Sequence, residues 1–159
     1  MSATPATSAL DEAGVGYALH PYDHDPANRH FGDKAAAALG VDTLRIFKTL
    51  IVETGAGRPP LAVAVVPVAG QLDLKAMAAA LGVKKVDLAD PSAATRSSGY
   101  LVGGISPVGQ KTPLPTVIDE TAELFDTLFV SAGRRGLQVE LSPADLARVT
   151  GARFADIAR

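Results

Sequence analysis

The stretch GYLVGGISPVGQ, residues 99–110, decides how the chain around it folds. Its glycines and its proline predict a tight turn that follows a short apolar run. Successive backbone N–H groups in such a turn can form a concave site for an anion or a polarised carbonyl oxygen. Two interpretations therefore compete, a plain strand corner and a cradle for a developing oxyanion.

Composition limits what the rest of the chain can be. With 159 residues, of which 47% are hydrophobic and 5% aromatic, we expect one domain over residues 1–159 with an aliphatic core. The chain has no cysteine, which excludes disulfides, thiolate metal sites and a cysteine nucleophile. A net charge of −2 argues against non-specific coating of nucleic acid. Without a leader-like segment or a membrane-length apolar run, a cytoplasmic protein that contacts no membrane is expected.

Capping residues and apolar patterning predict an irregular mixture of helices and strands. Helices are expected after the caps Thr4, Asp33, Asp73, Asp90 and Ser142, covering 5–10, 34–39, 74–81, 91–98 and 143–149. Strands are expected at 15–19, 46–52, 61–66, 86–89, 116–119, 127–131 and 137–141. In the helix expected at 74–81, Leu74, Met77, Ala78 and Leu81 should form one buried stripe. This irregular order predicts an α+β fold with a mixed, strongly bent, barrel-like sheet flanked by helices.

Lys48 is the anomaly of the strand at 46–52. Strict alternation places it on the same face as Ile46, Leu50 and Val52, which are apolar. A lysine there either extends its charge to solvent at a strand end or faces a cavity as a placed cation. Both interpretations remain open from the residues alone.

Several familiar chemistries are disfavoured. His20 and His24 have helical metal-ligand spacing, but Pro21 and Pro26 disfavour a helix, so no metal site is expected. Around Ser106 the sequence approaches the nucleophile elbow G-x-S-x-G, but the second glycine comes one position late and Pro107 lacks the N–H that would bind an oxyanion. What remains is a set of hydrogen-bond donors: the turn N–H groups, the Lys48 ammonium, and the hydroxyls of Tyr22 and Ser131. Such a site polarises a carbonyl for attack by water or by the substrate itself.

Five blocks of the chain resemble the YbaK/EbsC family, the bacterial Cys-tRNA(Pro) deacylases related to the editing domain of prolyl-tRNA synthetase. They are FKTL (47–50), VVPVAGQLDLK (65–75), ADP (89–91), YLVGGISPVGQ (100–110) and the hairpin at 130–136. The resemblance implies that family's fold and a trans-editing enzyme that clears cysteine from Cys-tRNA(Pro), without a cofactor or a metal. It also implies that the substrate thiol attacks its own ester and releases a thiolactone, and that prolyl-tRNA synthetase is a partner.

The resemblance also implies roles for individual residues. The catalytic set is Lys48, Gly103, Gly104, Ile105 and Ser106; the substrate-binding set is Tyr22, Phe31, Thr49, Pro107, Ser131, Gly133 and Gln138. Gln138 departs from the family, where relatives carry aspartate, so it keeps hydrogen bonding but loses a charge. Two alternatives stay open: a deacylase for another small amino acid, alanine or serine, and a non-catalytic module that binds tRNA or a synthetase.

Overall fold

The computed structural model describes residues 3–22 and 39–159. Four α-helices lie wholly within these ranges: α1 (Pro5–Glu12), α2 (Leu74–Leu81), α3 (Pro91–Ser98) and α4 (Pro143–Thr150). The strands there are β1 (Ala18–Pro21), β2 (Phe47–Glu53), β3 (Leu61–Pro67), β4 (Asp87–Leu88), β5 (Thr116–Asp119), β6 (Leu128–Arg134), β7 (Leu137–Leu141) and β8 (Arg153–Ala155). Short 3-10 helices cover Thr43–Arg45 and Glu120–Leu124. No helix of the described ranges is long and apolar enough to cross a membrane.

Within these ranges the strands form two sheets. The larger has the order β4-β2-β3-β5-β8; β2 is antiparallel to β3 and β4, whereas the β3–β5 and β5–β8 pairs are parallel. The smaller, β1-β7-β6, is antiparallel. An isolated parallel bridge between Ile46 and Phe129 joins the start of β2 to β6. The predicted α+β class with a mixed sheet is confirmed, while the described strands form two bridged sheets that do not close into a barrel.

The central strand β3 is buried on both faces because each face meets a different apolar cluster. Val63 and Val65 pack in the larger cluster, which also contains Phe47. Ala64 and Val66 pack in a second cluster. A strand that is covered on both faces has a continuous run of apolar residues. The run at 61–66 therefore predicted a central strand.

Helix starts agree with their sequence signals. The side chains of Thr4, Asp73, Asp90 and Ser142 each accept a hydrogen bond from a first-turn N–H group. The predicted buried stripe of α2 is too long, because Met77 and Ala78 are buried but Leu74 is exposed. Helical spacing identifies the inward face, but it does not tell how much of that face the rest of the fold covers.

Strand limits were predicted less well. β1 begins three residues later than expected, at Ala18, and β6 continues to Arg134 with a register shift after Ser131. β8, which was not predicted, pairs in parallel with β5. Its three residues are too few to show an alternating pattern. Most of the helix expected at 34–39, and its cap Asp33, lie outside the described residues.

Candidate active site

A cavity of about 410 Å³ is bounded by both sheets and by the glycine-rich loop. One wall is formed by residues 46–51, which are Ile46 and the first part of β2. The opposite side includes Ser131 of β6 and Gln138 of β7. Val102, Gly103 and Ile105 bring the loop to the same space. The bridge between Ile46 and Phe129 lies two residues before Lys48 on one strand and two before Ser131 on the other. The cavity therefore forms where β2 and β6 diverge.

At the edge of β2 that borders the cavity, the backbone groups of Thr49 make no hydrogen bond with the residues that the structure describes. Val68 N–H donates to the Ile46 carbonyl at 2.8 Å, so Ile46 directs its backbone polar groups toward β3. In an antiparallel pair every second residue does the same, and Lys48 therefore also directs its N–H and carbonyl toward β3. Thr49, the residue after Lys48, directs its N–H and carbonyl to the opposite edge. On that edge β4 pairs with Val52 and Glu53, and Ala89 N–H donates to the Ile51 carbonyl at 3.0 Å, so this pairing stops two residues after Thr49. Thr49 thus offers one backbone donor and one acceptor toward the cavity.

Lys48 lines the cavity as a half-buried cation. Its Nζ donates to the Gly70 carbonyl at 3.1 Å. In the ranges 3–22 and 39–159 no carboxylate lies within ion-pair distance of it. An ammonium has three N–H donors, and a neutral carbonyl leaves its charge uncompensated. Lys48 is therefore held in place and can still stabilise negative charge on a ligand.

The glycine-rich loop is fixed by Gly104. Gly104 N–H donates to the Leu101 carbonyl at 2.9 Å, which closes a turn, and its carbonyl accepts from Ser131 Oγ at 3.0 Å. A Cβ at position 104 would lie 2.8 Å from the Arg134 Cα, closer than real side chains approach a backbone. Gly104 is thus required for packing, and its N–H is already used.

Two other N–H groups of the loop remain available. Gly103 and Ile105 line the cavity, and their N–H groups make no hydrogen bond within the part of the chain that the structure describes. Gly103 has φ +91°, a conformation that glycine adopts without strain. Alternate N–H groups of one turn can bind a single oxygen. This arrangement supports the cradle interpretation over the plain strand corner.

Ser106 lies behind the cavity wall. It is fully buried, and its Oγ accepts from Val108 N–H at 3.2 Å. The Tyr100 hydroxyl donates to the Val108 carbonyl at 2.7 Å, and burial raises the pKa of Tyr100 to about 12, so it stays a neutral donor. These two residues hold the loop in shape without touching the cavity.

Thr49 and Gln138 carry buried oxygen atoms without partners. Thr49 Oγ1 and Gln138 Oε1 make no hydrogen bond among the described residues, although both residues line the cavity. Gln138 is only 7% exposed and lies directly across from Ser131 in the β6–β7 pair. A buried acceptor without a donor costs free energy, about 1–3 kcal/mol. The two oxygens are therefore placed to bind donors of a ligand.

The structure brings together most of the residues singled out from the sequence. Those that line the cavity are Tyr22, Lys48, Thr49, Gly103, Ile105, Ser131 and Gln138. Gly104, Ser106, Pro107 and Gly133 lie outside its lining, and Phe31 lies outside the described residues. Sequence reasoning missed the apolar lining, which includes Leu88, Pro91 and Val102. Pro91 and Val102 lie in two of the blocks that carry the family resemblance, but no local pattern marks any of the three as lining a cavity.

Comparison with known proteins points to one family. A family model described as an aminoacyl-tRNA editing domain matches residues 27–149. A curated relative from Enterococcus faecalis, the candidate Cys-tRNA(Pro)/Cys-tRNA(Cys) deacylase EbsC, is 40% identical over 125 residues, which is 79% of this chain and 75% of that protein.

Solved structures share the whole fold. The crystal structure of a candidate trans-editing enzyme for prolyl-tRNA synthetase superposes with a TM-score of 0.84 at 26% identity, covering 100% of this chain and 99% of that one. A hypothetical protein of known structure superposes with a TM-score of 0.87 at 28% identity, covering 98% and 100%. These similarities extend across the elements that form the cavity.

Proposed function

This chain belongs to the aminoacyl-tRNA editing domain family, and we propose that it removes cysteine from mischarged Cys-tRNA(Pro). Membership makes it an aminoacyl-tRNA deacylase; cysteine and tRNA(Pro) are the finer part of the proposal. The observation that carries it is a cavity whose described lining offers donors for an oxyanion, from Lys48, Gly103 and Ile105, and no histidine or carboxylate base. Among the described lining residues there is no histidine, aspartate or glutamate to activate a hydroxyl.

Without such a base the nucleophile is best supplied by the substrate. The cysteine sulfur attacks the ester carbonyl carbon, and the bond from that carbon to the ribose oxygen breaks. The acyl group leaves as a thiolactone, and the ribose hydroxyl ends with the proton that the thiol released. Lys48 and the N–H groups of Gly103 and Ile105 stabilise the negative charge on the carbonyl oxygen. One such donor is worth about 3–4 kcal/mol of transition-state stabilisation.

The remaining residues bind and orient the aminoacyl group. Thr49 and Gln138 offer their unpartnered oxygens to the amine or the thiol, and Tyr22 contributes to the cavity wall on the side of Gln138. Ser131 acts through Gly104, whose carbonyl it holds. Gly104, Ser106, Pro107 and Gly133 act by shaping the loop and its neighbouring hairpin. Phe31 keeps the substrate-binding role that the family resemblance implies.

Deacylation of alanyl- or seryl-tRNA is the second candidate. Gln138 favours it, because a neutral acceptor in the wall discriminates less sharply among small polar side chains than a carboxylate does. That reaction would need water as the nucleophile. A non-catalytic module that binds tRNA or a synthetase is the third candidate, and membership in a family with a deacylase relative argues against it.

We further propose a cytoplasmic protein that acts beside prolyl-tRNA synthetase. The net charge of −2 leaves little general attraction for tRNA. A synthetase partner would supply the recognition of tRNA(Pro), while this chain recognises the aminoacyl end. The similarity to the solved candidate trans-editing enzyme for prolyl-tRNA synthetase supports this pairing.

The test is deacylation of radiolabelled Cys-tRNA(Pro) by the purified protein. We expect the ester half-life to fall well below that in buffer, and trapping of the released acyl group to give the products of a thiolactone. Alkylating the cysteine thiol should abolish turnover. Turnover of the alkylated ester, or of Ala-tRNA(Pro) at an equal rate, would favour water-driven hydrolysis. An unchanged ester half-life together with tight binding in a filter assay would support the non-catalytic module.

A further inference from the structure

Resting on the proposed function, we propose that Leu88, Pro91 and Val102 form a platform for the 3′-terminal adenine of the tRNA. These three residues, called the apolar rim below, line the cavity and are also open to solvent. Leu88 is 57% exposed and Val102 is 40% exposed. They come from two separate segments, the β4–α3 junction and the glycine-rich loop. The proposal assigns the rim to the base, whereas the cavity holds the amino acid.

Covalent connection places the base at the rim. When the ester carbonyl lies against Gly103 and Ile105, the ribose that carries the ester must lie at the cavity mouth. The adenine is attached to that ribose, so it lands within one nucleoside length of the cavity. Val102 immediately precedes Gly103, which puts an exposed apolar side chain next to the donor that would hold the carbonyl.

The chemistry of the rim fits the face of a base. A nucleobase presents a flat apolar face, and covering exposed aliphatic surface with it is favourable in proportion to the area removed from water. Exposed apolar side chains grouped at a cavity are typical of binding sites, whereas single ones are ordinary. The rim supplies packing against a base and no base-specific hydrogen bond from its side chains. It therefore suits a nucleotide that every tRNA shares.

Charged side chains on either side of the apolar rim determine on which side the 5′ phosphate of the bound nucleotide lies. Arg135 donates to the Val102 carbonyl from Nε at 3.0 Å and from a terminal nitrogen at 2.6 Å, which fixes a cation beside that end. Asp90 stands next to Pro91 at the other end and accepts from Ala93 N–H at 2.9 Å. Its carboxylate is ionised at neutral pH and repels phosphate, and the hydrogen bond from Ala93 N–H lowers its pKa further. The 5′ phosphate of the terminal adenosine is therefore directed toward Arg135.

The first experiment compares esters of cysteine with and without the base. Deacylation of cysteinyl-adenosine and of a cysteinyl ester of 1-O-methyl-ribose is measured with the wild type, with a Leu88→Ser/Val102→Ser variant and with a Leu124→Ser control. Leu124 is 78% exposed and lies outside the cavity lining. We expect the wild type and the control to favour the adenosine ester in kcat/KM by about tenfold, and the double variant to lose most of that ratio.

The second experiment tests whether the 5′ phosphate lies toward Arg135. A 5′-phosphate on cysteinyl-adenosine should raise kcat/KM several-fold in the wild type, and Arg135→Gln should remove that gain more than Arg96→Gln does. A general disturbance of the loop by Arg135→Gln would instead lower both rates and leave their ratio unchanged, which overturns the assignment of the phosphate.

The outcomes separate the platform from the proposed function. Equal rates on the adenosine and ribose esters in the wild type would overturn the platform and leave the deacylase intact. Loss of both rates in equal proportion in the rim variant would also overturn it, since the rim would then be structural or would bind a partner protein. A wild type that hydrolyses no cysteine ester and no Cys-tRNA(Pro) overturns both.

Discussion

Ser131 Oγ donates a 3.0 Å hydrogen bond to the Gly104 carbonyl, and this contact ties the glycine-rich loop to strand β6. The same hydroxyl accepts from Gly133 N–H at 3.2 Å, so it is fixed on both sides. Because Gly103 and Ile105 flank Gly104, the contact sets where their N–H groups stand relative to Lys48. Ser131 is in this sense a positioning residue for the donors.

Replacing Ser131 with alanine should therefore lower kcat on Cys-tRNA(Pro) by about tenfold to a hundredfold, with a smaller change in KM. The donors remain in Ser131→Ala but lose their alignment. Steady-state deacylation checks this, with Ser8→Ala on the exposed face of α1 as the matched control. If kcat stayed at the wild-type value, the hydrogen bond would have no positioning role.

Gly104→Ala should destabilise the fold itself. The new methyl group would lie 2.8–2.9 Å from the backbone of Arg134 and Arg135, which cannot yield as a flexible side chain does. We expect a loss of about 1–3 kcal/mol and a Tm lower by about 2–12 °C. Gly16→Ala is the control, since a Cβ there meets nothing within 4 Å. Equal melting temperatures for the two variants would contradict the packing role of Gly104.

Lys48→Met should keep the fold and lose activity. Methionine retains most of the aliphatic stem but has no charge, so the oxyanion loses its cation. We expect kcat to fall by about a hundredfold or more while Tm changes little. Lys75→Met, on the exposed surface of α2, controls for loss of a positive charge. Full activity in Lys48→Met would remove Lys48 from the mechanism.

Gln138→Asp should make the enzyme depend on the charge of the substrate's α-amine. A carboxylate at this buried position attracts an α-ammonium group, whereas the amide does not distinguish it strongly from a hydroxyl. Nitrous acid converts the α-amine of Cys-tRNA into an α-hydroxyl when the thiol is protected during the reaction. We expect the preference for amine over hydroxyl to rise about tenfold in Gln138→Asp and to stay unchanged in Gln71→Asp. An unaltered preference would place the amine elsewhere.

Glu140 should make stability depend on acid pH. Its Oε2 accepts from Thr127 Oγ1 at 2.5 Å, and its other oxygen lies 2.8 Å from His20 Nε2. The Thr127 hydrogen bond, followed by His20 and Arg45, lowers the pKa of Glu140. A carboxyl group with a lowered folded-state pKa stabilises the fold above its unfolded pKa of about 4.3, and that contribution is lost as pH falls through the folded pKa.

Urea unfolding of Glu140→Gln checks this linkage. The variant should be less stable than the wild type by about 1 kcal/mol at pH 7, and the difference should shrink below about pH 4. Glu12→Gln, at an exposed position of α1, should show no such dependence. A deficit that persists unchanged at pH 3 would mean that the charge of Glu140 is not what stabilises the sheet.

Part of the site was visible in the sequence. The glycine spacing in 99–110 predicted a loop with donors, and alternation placed Lys48 on an inward face. Sequence could not tell that Gly104 N–H is used by Leu101, because a loop's internal bonds depend on its exact dihedral angles. It also could not place Ser106 behind the wall, since a serine in a glycine-rich loop looks equally suited to chemistry and to capping Val108.

The sequence by itself determined the helix starts and the buried central strand β3. It also determined the cation, Lys48, and the glycine-rich loop at 99–110. These features depend on neighbours a few positions away, through capping bonds and through the period of apolar residues. Only the tertiary structure decided which polar groups remain without partners. Thr49 and Gln138 meet at one cavity because the two sheets are joined at Ile46 and Phe129, and the apolar rim forms because two distant segments end at its mouth. Segments remote in the chain decide what a hydroxyl or an amide bonds to and what an exposed leucine contacts. No local sequence pattern predicts these contacts.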